Sequence, residues 1–74
     1  MKNLCEVEIS QECRIVEVKI ETMAIKRRLL ELGFLPGKTV KVARKSLTKK
    51  TVLVEIGGYL LALRCSVAQN IFVE

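Results

Sequence analysis

Histidine is absent from the 74 residues, and so is tryptophan. Without histidine the chain lacks the commonest general base and the commonest metal ligand. Aromatic side chains are scarce, with Phe34, Tyr59 and Phe72 the full set. Proteins that hold single-stranded nucleic acid stack bases on aromatic platforms, so nucleic acid is poorly provided for despite a formal net charge of +5. Long apolar runs are missing too. The longest uninterrupted one is Tyr59-Leu60-Leu61-Ala62-Leu63, far short of the roughly 20 residues that a membrane-spanning helix needs. The opening MKNLCEVEIS has no apolar signal core and carries acids early. The expectation is a cytoplasmic protein with no membrane insertion.

Catalytic groupings are equally thin. The eight acids are all glutamates and are scattered, and most fall on outward strand positions or in turns. Glu6 and Glu8 share a strand face, which is the ordinary pattern of a solvated face. Cys5, Cys13 and Cys65 are odd in number and widely spaced. They form no disulfide framework and no CxxC zinc pattern, and they read as small, half-buried hydrophobes. Gly57-Gly58 precedes no helix and lacks phosphate-loop spacing. An enzyme is not expected.

What the chain does have is aliphatic mass. Half of its residues are hydrophobic, mostly Val, Ile and Leu, and that suits a small β barrel. The length makes residues 1–74 one domain with a modest core, which a partner or a weak homo-oligomer would supplement. A mean hydropathy of +0.29 implies that some apolar surface stays exposed or meets a partner.

Taken in order, residues 1–12 are ambiguous. Residues 5–9 alternate like a strand, and a segment crossing the barrel mouth on Leu4 and Val7 is expected, followed by a turn at Ser10-Gln11-Glu12. CRIVEVKI, residues 13–20, predicts a strand with Val16, Val18 and Ile20 inward. Ile15 falls on the polar parity, so a bulge or a half-covered outer face is expected there. Thr22 is placed to cap a helix whose apolar face is Ile25, Leu29 and Leu32, widened by Met23 and Leu30. Lys26, Arg27 and Arg28 line its other side, with Glu31 in reach for local ion pairs.

The most definite punctuation is RRLLELGFLPG, residues 27–37. Gly33 stands where a helix takes a left-handed residue to end, and Phe34 where the chain folds an apolar side chain back onto the last turn. Leu35-Pro36-Gly37-Lys38 predicts a type II turn. Strands follow at residues 39–45 and 51–56, separated by the basic loop SLTKK. Gly57-Gly58 predicts a two-residue hairpin leading into a strand over residues 59–64. Leu61 and Leu63 share one face of that strand, and Leu60 lies anomalously on the other. Ser66 is a candidate cap for a short helical turn, and residues 71–74 close as the last strand.

RRLLELGFLPG, TVKV, GGYLLALR and the final IFVE together resemble the ferrous iron transport protein A (FeoA) family, over roughly residues 13–74. The resemblance implies an SH3-like small β barrel of about five strands with one inserted α-helix. It also implies a cytoplasmic accessory or regulatory role in bacterial ferrous iron uptake. The implied partner is the inner-membrane ferrous iron permease with its GTP-binding domain. A similar SH3-like domain ends iron-dependent repressors, so a stand-alone metal-sensing or nucleic-acid-binding module is the alternative. The family label of metal binding points to Fe(II) or Zn(II), but no ligand constellation stands out. Leu60 departs from a position that is often polar in the family. The residues we expect to meet a partner are therefore Arg27 and Arg28 for charge, and Leu35, Tyr59 and Leu60 for apolar contact.

Overall fold

A computed structural model describes all of residues 1–74. The strands are β1 (Lys2–Asn3), β2 (Glu12–Val18), β3 (Thr39–Lys45), β4 (Thr51–Ile56), β5 (Tyr59–Arg64) and β6 (Ile71–Val73). The helices are α1 (Met23–Glu31) and α2 (Cys65–Ala68), with a 3-10 helix at Leu4–Glu6. The sheet runs β1-β6-β2-β3-β4-β5. Every neighbouring pair is antiparallel, and the sheet curls around one aliphatic core as an SH3-like barrel.

The reversals behave as the sequence predicts. The Phe34 N–H reaches the Leu29 carbonyl at 2.9 Å and the Gly33 N–H reaches Leu30 at 3.1 Å, with Gly33 at φ +101°. Those paired bonds define a Schellman end, and Phe34 is fully buried. Lys38 N–H closes the type II turn on the Leu35 carbonyl at 3.0 Å, with Gly37 at φ +93°. The turn is then stitched to β2, because Gly37 donates to Ile15 at 2.8 Å and Ile15 donates to Lys38 at 2.9 Å.

The N-terminal segment contributes a sixth strand beyond the five expected, since Lys2 and Asn3 pair with Val73 and Phe72 of β6. Residues 5–9 do not form a strand. Asn3 accepts the Cys5 N–H at 2.9 Å and its own N–H donates to Glu6 at 2.9 Å. This capping box winds Leu4–Glu6 into a 3-10 turn and buries Leu4 and Val7.

In β2 a bulge is present between Ile15 and Glu17, and it replaces Val16 by Ile15 in the expected inward set while Val18 and Ile20 keep their places. Ile15 is buried and Val16 only half-buried, because the extra residue shifts the parity before Val18 returns to the core. Val40, Val42, Val52, Val54, Ile56 and Leu63 fill the core from β3 to β5.

Three further expectations are corrected. Thr22 flanks α1 in extended conformation, yet its side chain makes no capping bond. Arg64, not Ser66, precedes the first turn of α2. Glu31 pairs with neither arginine, and the single ion pair is Lys19–Glu17 at 3.8 Å on the surface.

Candidate functional site: the groove between α1 and β5

Of the apolar residues on α1, only Leu29 is fully covered. Ile25 and Leu30 remain 40% and 39% exposed and Met23 67%. Backbone contact between α1 and the strands is sparse. The helix is held mainly by its C-terminal end. There the Tyr59 hydroxyl, at the hairpin tip, donates to the carbonyl of Leu32. The last carbonyls of a helix lack intrahelical partners, so this bond satisfies one of them.

The space left between α1 and β5 is a groove of about 430 Å3. Its helix wall is Ala24, Ile25, Leu29 and Leu32, and its strand wall is Leu61, Ala62 and Leu63. Val67 of α2 forms part of the lining, and the only polar residues in it are Arg28 and Arg64. Eight of the ten lining residues are hydrophobic and no acid offsets the two guanidiniums, so the groove is apolar with a positive rim.

The five residues expected at a contact surface divide around this groove. Arg28 lines it. Tyr59, 41% exposed, bonds across to Leu32, which lines it. Leu60 is 57% exposed and leaves β5 on the face opposite Leu61 and Leu63. Arg27 and Leu35 are exposed but are not part of the lining. The sequence places Leu61 and Leu63 on one face of their strand but marks neither them nor Arg64 as contact residues. The available signal was the surplus of apolar residues on both α1 and β5.

The thiols are the remaining chemistry. The Cys5 thiol donates to the Cys65 carbonyl at 3.5 Å, Cys65 to Lys49 at 3.0 Å and Cys13 to Val40 at 3.5 Å. Burial, then the hydrogen bond and charge of neighbouring Cys65, push the Cys5 thiol up to about 11, with Lys45 opposing. Burial, and then Glu12, raise Cys13. No three His, Cys, Asp or Glu side chains converge, whereas zinc sites take three or four protein ligands. The donor set therefore does not fit Zn(II) or Fe(II). Tyr59 is the one exposed aromatic ring, so there is no run of stacking platforms either. Phe34 is buried, Phe72 is half-buried with the Lys19 ammonium 5.7 Å from its ring centre, and Tyr59 is bound to the helix end.

Fold and groove define a class first: a small SH3-like barrel whose largest cleft is an apolar, positively rimmed trough between its helix and its edge strand. The FeoA domain family model matches residues 2–74, and the chain belongs to that family. It is 30% identical to the FeoA protein of Chlorobium tepidum, with a TM-score of 0.89 over 97% of this chain and 68% of that one. It is 31% identical to the zinc-complexed FeoA of Stenotrophomonas maltophilia, described as a prokaryotic SH3 domain protein. That match has a TM-score of 0.84 and covers all of this chain and 91% of that one. A manganese-dependent transcriptional repressor shares the fold, at 15% identity and a TM-score of 0.87, over 97% of this chain and 40% of the repressor. Among curated protein sequences none matches. Membership makes this a small SH3-like protein of ferrous iron transport. No helix in it is long and apolar enough to cross a membrane.

Proposed function

We propose that the protein is an accessory factor of bacterial ferrous iron uptake. It acts in the cytoplasm by binding the GTPase-bearing inner-membrane permease, and it has no reaction of its own. The observation that carries this reading is the α1–β5 groove, an unfilled apolar surface with Arg28 and Arg64 in its lining and Tyr59 tying the hairpin to the helix end. Leu60 and Leu35 add exposed apolar area beside it, and Arg27 adds charge. A buried apolar centre with a charged rim is how protein interfaces divide affinity from orientation. The Stenotrophomonas maltophilia relative has been described as a candidate ferrous iron transport activating factor, and that agrees with an accessory role.

The test is an Arg28→Glu, Leu60→Asp double variant, both positions being outside the core. Its fold is checked by circular dichroism, and it is then assayed for co-purification with the permease and for ferrous iron uptake. The proposal predicts loss of both. Undiminished co-purification by a folded variant would sink it.

A further inference from the structure

The two edges of the sheet are unlike. β1 is two residues long, a short edge of the kind that resists strand addition. β5 is six residues long and pairs only with β4. The phase of that pairing follows from its turn. Gly57 and Gly58 both have positive φ, at +58° and +85°, and the register closes on Ile56 opposite Tyr59. A two-residue primed turn makes that closing pair a hydrogen-bonded one. Tyr59, Leu61 and Leu63 therefore turn their backbone groups toward β4. The Cys65 N–H keeps the same phase, reaching the Lys50 carbonyl at 2.8 Å.

Leu60, Ala62 and Arg64 turn theirs the other way. The N–H and C=O of Leu60 and Ala62, and the N–H of Arg64, have no partner in the chain. They point away from β4, on the side where the groove and α1 lie. An apolar trough of this volume could in principle hold a small molecule, but such sites carry a few convergent polar groups to orient the ligand. Here, apart from the Arg28 and Arg64 guanidiniums, the polar groups form a ladder repeating every second residue, which is the complement of another strand.

Resting on the partner-binding reading above, we propose that the β5 edge accepts an extended segment of a partner protein, in which apolar side chains alternate with acidic ones. The segment adds a seventh strand. Its inward side chains fill the groove over Leu29, Leu61 and Leu63, and its acids meet Arg28 and Arg64. Charge complementarity selects the occupant: the only charged residues of the lining are two arginines, on a protein of net charge +5. Main-chain bonds give affinity in this mode, and the pockets for alternate side chains give selectivity.

The probe is a fluorescein-labelled hexapeptide of alternating glutamate and valine, followed by anisotropy and by amide shifts. Binding is expected with shifts centred on Leu60, Ala62 and Arg64. Replacing glutamate by lysine in the peptide should weaken it by roughly tenfold or more, since opposed charge becomes like charge. Ala62→Pro removes an outward N–H at an edge position that tolerates proline, and should weaken binding to a similar degree. If that variant does not fold, an Arg28→Glu, Arg64→Glu pair carries the test. The proposal is overturned by absent binding, by equal affinity for the glutamate and lysine peptides, or by a dimer of this chain that Ala62→Pro dissolves. Permease that still co-purifies with folded Ala62→Pro would refute strand addition while leaving the accessory role standing. Permease that never co-purifies with the unaltered protein would refute the role itself.

Discussion

At the scale of single residues, Tyr59 links the two walls of the groove. Its hydroxyl satisfies a helix-end carbonyl that would otherwise rely on water. Tyr59→Phe keeps the ring and removes the bond, and should lower the unfolding free energy by about 0.5–1.5 kcal/mol. Urea denaturation measures this, and an unchanged midpoint would mean that water serves the carbonyl equally well. Cys5 makes a pH prediction. Its thiol is held protonated to about 11 against an ordinary 9.0, so the folded state keeps a proton that the unfolded chain gives up. The associated stability is complete below pH 9 and is lost as the pH rises toward 11. Between those values the wild type should lose more thermal stability than Cys5→Ser, whose hydroxyl does not titrate there. Parallel curves would contradict the assigned cause.

At the scale of elements, the end of α1 fixes the helix against the sheet. Beyond its own chain neighbours, nothing stands within 4 Å of where a Gly33 side chain would begin. The penalty for Gly33→Ala is thus conformational, about 1–2 kcal/mol, and Gly33→Asn should cost less because asparagine tolerates left-handed backbone. Phe34→Ala removes the one aromatic ring of the core and should cost about 3–5 kcal/mol. That is a large share of the roughly 5–15 kcal/mol that holds most domains together, so this variant should melt far below the glycine variants.

The same elements show what can be read from sequence. The Schellman end, the Pro36-Gly37 turn, the Gly57-Gly58 hairpin and the bounds of β3, β4 and β5 were legible. Each depends on backbone chemistry within a few residues, or on strict alternation. The two-residue β1 was not legible, because only its distant partner β6 makes it a strand. In β2 the exchange of Val16 for Ile15 on the inward face was not legible, because it comes from one inserted residue whose position depends on the β6 register. The apolar stripe of α1 was legible, but its burial was not. Periodicity says which side chains share a face, not whether anything covers them. Hence Arg28 can be picked out in the sequence as a cation on the polar side of α1, while the pairing of that helix with Arg64 and the strand wall becomes visible only when the fold brings α1 beside β5.

At the scale of the whole molecule, three features belong together. The sheet leaves one long edge open, the helix stands off from that edge over an apolar trough, and the lining is positive on a basic chain. A lone domain of this size gains little by leaving such a surface bare, whereas a docking protein needs one. Binding should accordingly weaken as salt rises, because the rim charges lie in solvent where screening acts.

The most direct measurement is amide hydrogen exchange at Leu60, Ala62 and Arg64, with and without the detergent-solubilised permease. In the isolated protein these three amides should exchange far faster than those of Leu61 and Leu63, which bond to β4. With the permease present they should become protected together with the groove face of α1. Protection that appears elsewhere on the barrel while these three stay fast would contradict the account.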